Sequence, residues 1–105
     1  MELLTAELRS NIPPLYTQEH LKLEDRTIHA KFFFPAGSWT WFVTEGQNEE
    51  DDFLMFGYVV GFEREWGYFS LNELQAIEIN GLKVERDLYF EPALFSLVIS
   101  REFGT

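Results

Sequence analysis

The chain has 105 residues, of which 46% are hydrophobic and 17% aromatic, with no cysteine and a formal net charge of −10. This length fits one compact domain, the hydrophobic share excludes a disordered chain, and the lack of cysteine excludes disulfides and thiolate chemistry. Eight basic against eighteen acidic residues argue against direct binding to a nucleic-acid backbone. The sequence shows neither a run of about 20 apolar residues nor a signal-peptide pattern. We therefore predict a cytoplasmic single domain over residues 1–105 that does not contact a membrane.

The carboxylates are concentrated in the second part of the chain. Residues 1–44 carry a net charge of −1, and residues 45–105 carry a net charge of −9. Five acids and no base lie between Glu45 and Asp52. Because clustered like charges repel each other and favour solvent, the segment from Gly46 to Asp52 is predicted to be an exposed loop.

The first half of the chain predicts one short helix and a β-hairpin. Leucines at helical spacing precede the proline pair at 13–14, so a helix is predicted to end near Asn11. Over residues 26–34 apolar and polar side chains alternate, which is typical of a half-buried strand. Residues 35–38 supply a turn, and residues 39–44 are predicted to form the second strand of the hairpin.

The middle of the chain predicts a third strand. Residues 53–60 are nearly all apolar, which predicts the most buried strand of the sheet, covered on both faces. Residues 61–67 are predicted to form a turn, and residues 68–69 a short strand after it.

The last third predicts two helices. Ser70 and Glu73 form a capping box, which predicts a helix that starts there and ends at Asn80-Gly81. A last helix is predicted over residues 93–100, and residues 102–105 are interpreted as a cloning remnant. The predicted fold class is therefore α+β: a small single domain, mainly an antiparallel sheet of 3–5 strands with 2–3 short helices packed on it.

Several of these strings are similar to those of one known family. The matching strings are Leu3-Leu4-Thr5, Pro13-Pro14-Leu15-Tyr16, Lys31-Phe32-Phe33, Pro35 to Glu45, Asp52-Phe53-Leu54 through Phe69-Ser70-Leu71, and Glu85 to Pro92. Together they resemble the bacterial family of domain of unknown function 2958, whose members are found largely on plasmids and integrative conjugative elements. The resemblance implies a mobile-element origin and a small α+β domain, and it implies no established activity.

No catalytic set emerges from the titratable residues. His20 and His29 have no partner at metal-ligand spacing, and the alternation places His29 on the solvent side of its strand. The carboxylates of Glu63 and Glu65, like those at 49–52, are predicted to be solvated, and so unsuited to acid–base catalysis. Residues 85–87 are interpreted as a local ion-pair arrangement. We predict no catalytic residue, no metal site and no cofactor.

The aromatic residues allow two interpretations. Trp39 and Trp41 lie on one face of a strand, where they can cover the sheet beneath a helix as part of the core. Alternatively, part of this pair joins Trp66 and Tyr68 in an exposed patch that binds a partner, since tryptophan and tyrosine are enriched at interfaces. The predicted binding residues are the aromatic Trp39, Trp41, Trp66 and Tyr68 and the acidic Glu49, Glu50, Asp51 and Asp52.

Three functions from different classes remain open. The first is a non-enzymatic interaction module of a mobile element that binds a protein partner through an acidic and aromatic surface, with a homodimer as the alternative association. The second is an acidic decoy that occupies the DNA-binding face of a host restriction or CRISPR enzyme, because carboxylates can imitate the regular charges of duplex DNA. The third is a small metal- or nucleotide-dependent enzyme using Glu63, Glu65 or His29, which no motif supports.

Overall fold

An antiparallel sheet organises the chain, which the computed structural model describes over residues 1–104. The helices are α1 (Ala6–Asn11), α2 (Leu71–Ala76) and α3 (Phe95–Phe103), with a 3-10 turn at Leu23–Asp25. The strands are β1 (Thr27–Ile28), β2 (Ala30–Phe33), β3 (Thr40–Glu49), β4 (Asp52–Val60), β5 (Arg64–Ser70), β6 (Glu78–Ile79), β7 (Leu82–Lys83), β8 (Glu85–Arg86) and β9 (Ala93–Leu94). Five of them form the main sheet in the order β5-β4-β3-β2-β8. The predicted fold class, α+β with an antiparallel sheet and short helices, is confirmed.

The two faces of the sheet bury separate clusters. On the first face Phe32, Trp41 and Met55 pack beneath the N-terminal segment and the leucines of α1 and α2. On the second face Phe42 and Val60 pack against Ile28 of β1 and the residues of α3. The strands alternate between these faces because successive side chains of a strand point to opposite sides.

The helix start predicted at Ser70 is confirmed, with Ser70 as the N-cap residue. The Ser70 hydroxyl accepts a hydrogen bond from the Glu73 N–H at 3.2 Å, and α2 begins at Leu71. The helix ends earlier than predicted, after Ala76, and Asn80-Gly81 instead forms the turn between β6 and β7. Both turn residues have positive φ values, 54° and 82°, as a two-residue hairpin turn of this kind requires.

The prediction of an exposed loop from Gly46 to Asp52 is wrong. Strands β3 and β4 continue through it and leave only Glu50 and Asp51 as the turn. A β-bulge between Val43 and Glu45 shifts the register, so that Glu45 lies opposite Phe56 on the second face. Gly46 is buried in the pairing with β4. Charge density in the sequence therefore marked only the tip of the hairpin.

Two further predictions need correction in this sheet. The turn predicted over residues 61–67 is confined to 61–63, because β5 already begins at Arg64. The most buried strand is β3, with six consecutive buried residues, whereas β4 alternates between buried and half-buried positions. Strand β3 is the more buried because it lies at the centre of the five strands.

The chain after Pro92 forms a strand and a helix. Strand β9 pairs with β1, and α3 extends the predicted helix to Phe103, past residue 100. Glu102 forms an ion pair with Lys31, and the Phe103 ring lies 4.2 Å from the Arg64 guanidinium carbon. Of the segment interpreted as a cloning remnant, residues 102–103 thus belong to α3, and residue 105 lies outside the described residues. None of the helices described is long and apolar enough to cross a membrane.

Candidate functional site

The sheet separates the four predicted aromatic binding residues. Trp41 is buried in the first-face cluster, and Trp39 packs against it with ring centroids 5.9 Å apart. Trp66 and Tyr68 lie on the second face, where their cross-strand neighbours are Tyr58 and Phe56 of β4. The structure therefore brings these residues together in two pairs, on opposite sides of the sheet.

The pair on the second face is part of a partly exposed aromatic cluster. The ring of Trp66 lies 4.6 Å from Phe95 of α3 and 5.3 Å from Tyr58. Tyr68 remains half exposed, and its ring lies 4.9 Å from that of Phe56. The neighbouring side chain of Tyr16 raises the pKa of Tyr68, with burial as a smaller cause.

The predicted acidic binding residues lie at the tip of the β3–β4 hairpin. Glu49, Glu50 and Asp51 are exposed there. Asp52 is half-buried and hydrogen-bonded: its carboxylate accepts from the Asn72 N–H at 2.9 Å and from the Phe53 N–H at 2.8 Å. The bond from Asn72 is the largest cause that lowers the pKa of Asp52. Asp52 thereby ties the first turn of α2 to the hairpin.

A second acidic group lies at the opposite end of β4, beside the exposed ring of Phe62 and the half-buried ring of Trp39. Trp39, Val59, Phe62, Glu63 and Glu65 line a shallow groove of about 320 Å³, which we call the aromatic–acidic groove. Phe62 is 95% exposed, and its ring meets the Trp39 ring edge-on with 5.5 Å between centroids. Strand β4 has nine residues, so roughly 30 Å separates this groove from the acidic hairpin tip.

Gly61 sets the shape of the groove. A Cβ atom at this position would lie 2.4 Å from the Trp39 ring, so only glycine lets the turn approach the indole this closely. The Gly61 N–H also donates to the Glu63 carbonyl at 2.9 Å and closes the turn tightly. Phe62 is thereby held at the tip of the turn, over the edge of Trp39.

The carboxylates of the groove have no counter-charge among the residues described. Glu63 and Glu65 are both exposed and take part in none of the ion pairs of residues 1–104. The base between them, Arg64, points to the second face of the sheet, where its guanidinium lies over the ring of Phe103. The groove therefore combines an exposed apolar surface with uncompensated negative charge.

A polar cavity of about 270 Å³ lies between α1, the β1–β2 junction and the segment after β8. His29, predicted to face solvent, lies half-buried in its wall together with Arg86 and Asp87. The Arg86 guanidinium donates to the carbonyls of Glu2 and Leu3 at 2.6 and 2.8 Å, while Asp87 lies 3.5 Å from the Lys31 ammonium. These contacts tether the N-terminal segment to the sheet, which supports a structural role for the cavity wall.

Replacing His29 is expected to make the protein more tolerant of acid. Burial lowers the pKa of His29 below its ordinary value of 6.5, so the unfolded chain binds this proton more readily than the folded chain. Folding stability is therefore lost as the pH falls below about 6.5 towards the folded-state pKa. In urea unfolding at about pH 5 and about pH 8, His29→Gln should lose less stability on acidification than the parent protein. His20→Gln, at an exposed histidine, is the control, and equal losses in all three proteins would contradict the prediction.

A buried ion pair on the second face involves Glu45, the first acid of the stretch from Glu45 to Asp52. Glu45 is 2% exposed and accepts hydrogen bonds from the N–H groups of Tyr16 and Gln18 at 3.0 and 2.9 Å. Arg26 is also buried, with its Nη1 atom 3.9 Å from Glu45 and its guanidinium above the Phe56 ring. Glu45 thereby fastens residues 16–18 to the sheet. No group of histidine and carboxylate side chains in residues 1–104 is arranged to hold a metal.

Fold and surface together define a small α+β domain on a five-stranded antiparallel sheet, with an exposed groove of aromatic and acidic side chains. A family model described as a protein of unknown function (DUF2958) matches residues 3–100. The chain belongs to this family, and the family expected from the sequence is confirmed. No curated protein and no solved structure matches the chain.

Sequence reasoning missed the centre of the groove. The sequence pattern places Phe62 within a turn and presents Glu63 and Glu65 only as possible catalytic carboxylates. The available signal was a large aromatic residue inside a turn and between glycine and acids, where polar side chains are usual. Such a ring has no core to enter and remains exposed.

Proposed function

We propose that the protein is a non-enzymatic interaction module that binds a protein partner through the aromatic–acidic groove. The single observation that carries this proposal is Phe62, which is 95% exposed and rests against Trp39 beside two carboxylates that form no ion pair within residues 1–104. Such a ring gains about 1.5–3 kcal/mol when it is buried. Aromatic anchors at the centre of a patch supply most of the binding energy of protein interfaces.

The charge of the groove defines the partner's chemistry. Glu63 and Glu65 flank the apolar surface, and the chain as a whole carries a net charge of −10. Complementary charges across an interface raise the association rate and select the partner. The proposed partner surface is therefore an apolar side chain flanked by lysine or arginine residues.

The other predicted binding residues have different places in this proposal. Trp41 lies behind Trp39 and supports it. Trp66 and Tyr68 belong to β5 and lie on the second face of the sheet, opposite to Trp39 and Trp41. The acidic hairpin tip lies at the far end of the sheet from the groove. An accessory role on a mobile element is the setting that the family resemblance suggests for such a module, and the cytoplasm is the compartment expected from the sequence pattern.

Capture from a bacterial lysate tests the groove with a matched pair of variants. Phe62→Ala removes the exposed ring of the groove, and Tyr89→Ala removes an equally exposed ring elsewhere, since these residues are 95% and 93% exposed. We expect a protein that is retained by the parent chain and by Tyr89→Ala, with at least a tenfold loss for Phe62→Ala, because an interface anchor is worth about 2 kcal/mol. Retention by all three proteins would contradict the proposal.

Charge reversal tests which acidic group takes part. Glu63→Lys with Glu65→Lys alters the groove, whereas Glu49→Lys with Glu50→Lys makes the same change at the hairpin tip. We expect the first pair to slow association and to weaken its salt dependence, while the second pair leaves binding nearly unchanged. The reverse outcome would favour the acidic decoy, in which the carboxylates of the tip substitute for phosphates.

A further inference from the structure

We propose that the partner segment binds as an added β-strand along the outer edge of β5, with basic and apolar side chains alternating along it. This inference rests on the proposed function and specifies it further. Strand β5 ends the sheet order β5-β4-β3-β2-β8, and among residues 1–104 no other strand pairs with its outer side. Every second residue of an edge strand directs its backbone N–H and C=O groups outward, where another chain can pair with them.

The outer edge of β5 carries few of the features that normally prevent such pairing. Natural edge strands are shortened, bulged, or interrupted by proline or lysine. Strand β5 has seven residues, Arg64 to Ser70, which pair with residues 60 to 54 of β4 without a register shift. It contains neither proline nor lysine, and its two charged residues, Arg64 and Glu65, are confined to one end. The other edge of the sheet, β8, has only two residues.

The two faces of β5 determine which side chains an added strand would carry. Glu65 and Gly67 lie on the first face, where Glu65 also forms part of the aromatic–acidic groove. A Cβ atom at Gly67 would meet no atom of residues 1–104 within 4 Å, so this side offers room for a long side chain of the partner. Cross-strand neighbours lie about 5 Å apart, which places a lysine or arginine of the added strand within reach of Glu65.

Between Arg64 and Ser70, the second face of β5 carries only aromatic side chains at the same edge. Trp66 and Tyr68 lie next to each other on it, and Tyr68 is half exposed. An added strand would place its alternate residues beside these rings, where aliphatic or aromatic side chains pair best. Basic residues on the first face and apolar residues on the second give the alternating pattern.

A second copy of this chain fits the edge less well. On the first face β5 carries Glu65, Gly67 and Phe69, so a second β5 offers no base to Glu65. Each copy also carries a net charge of −10, which opposes self-association. The charge of the edge therefore favours a basic partner.

A synthetic peptide tests this geometry on the full chain. The probe is a capped eight-residue peptide of alternating lysine and valine, titrated into isotope-labelled protein and followed by NMR. Two further versions carry N-methyl groups on all lysines or on all valines. In an added strand alternate residues direct their N–H groups towards β5, so these N–H groups belong either to all the lysines or to all the valines. The version that is methylated on those residues should bind at least tenfold more weakly, while the other version keeps its affinity. Which version fails also reports the strand direction.

The outcomes separate this inference from the proposed function. Binding that is lost in Phe62→Ala but unaffected by either methylation would overturn strand addition and leave the groove intact. Discrimination between the methylated versions with unchanged binding to Phe62→Ala would support strand addition and overturn the role of the groove. Absence of binding at millimolar peptide, equal binding of a glutamate-for-lysine peptide, or a dimer whose β5 amides are already protected would each overturn the inference.

Discussion

The Gly57→Ala variant is expected to lose at least about 3 kcal/mol of the free energy of unfolding, more than an overpacked core site usually loses. Gly57 lies in β4 opposite Val43, at the last pair before the bulge in β3. A Cβ atom there would lie 1.8 Å from the Phe42 carbonyl oxygen and 2.8 Å from its carbon. This neighbour is backbone of the central strand, which is held between β2 and β4, so a side-chain rotation cannot relieve the contact.

Gly67→Ala is the matched control for this expectation. The same substitution in the adjacent strand places a Cβ atom where nothing lies within 4 Å. An alanine that fits its backbone conformation loses less conformational entropy on folding than glycine, so this variant should match or exceed the parent by up to about 1 kcal/mol. Urea unfolding followed by tryptophan fluorescence measures both variants. Equal losses of stability in Gly57→Ala and Gly67→Ala would show that the close approach of the two strands at Gly57 does not determine the loss.

Local patterns in the sequence predicted the start of α2 and the buried residues of the segment 26–34. Ser70 and Glu73 fix the start of α2 because the capping bond joins residues three apart. Alternation over residues 26–34 identified Ile28, Ala30, Phe32 and Phe34 as buried, and all four are. It also implied one shared face, which is wrong for Ile28, because the chain breaks at His29 between β1 and β2 and Ile28 packs in the second-face cluster. These signals depend only on the geometry of one helix turn or one strand. They were sufficient for the fold class.

The acidic stretch could not be assigned from charge alone. Glu45 and Glu49 look equivalent in sequence, yet one is buried and the other is exposed. The bulge after Val43 directs Glu45 to the second face, where backbone N–H groups of a segment almost 30 residues away bind it. A bulge changes the register of every later residue, and no local pattern marked this one.

The candidate site depended on the same long-range information. The sequence placed Trp39 and Trp41 on one face correctly, but it could not show that Trp66 and Tyr68 lie on the other. That relation follows from the register of β3 with β4 and of β4 with β5, which the hairpin turns determine. The groove arises in the same way, because Trp39 and Phe62 meet only when β3 and β4 pair.

Removing the Glu45 side chain is expected to be the most destabilising change to a polar group in residues 1–104. Glu45→Ala would leave Arg26 buried without its partner and deprive the N–H groups of Tyr16 and Gln18 of their acceptor. Loss of one member of a buried ion pair destabilises proteins by about 3–5 kcal/mol. Glu49→Ala, four residues along the same strand and exposed, should change stability by less than about 0.5 kcal/mol.

The backbone at Tyr16 adds to this effect. Its φ angle of 70° lies in the left-handed region, which residues other than glycine rarely adopt. The hydrogen bond from its N–H to Glu45 holds it there. In Glu45→Ala the segment around Tyr16 should therefore open first, with faster amide exchange at residues 16–18 than in Glu49→Ala.

A double-mutant cycle distinguishes the ion pair from the tether. Arg26→Met alone leaves the Glu45 carboxylate buried with its two backbone donors, and Glu45→Ala alone leaves the guanidinium without its partner. If the pair itself matters, the double variant should be more stable than the sum of the single losses predicts, by about 1–3 kcal/mol. Additive losses would mean that the N–H groups of Tyr16 and Gln18 supply the whole effect. Glu45 would then serve to fasten the segment after Pro14 to the sheet, and Arg26 would contribute only through its packing on Phe56.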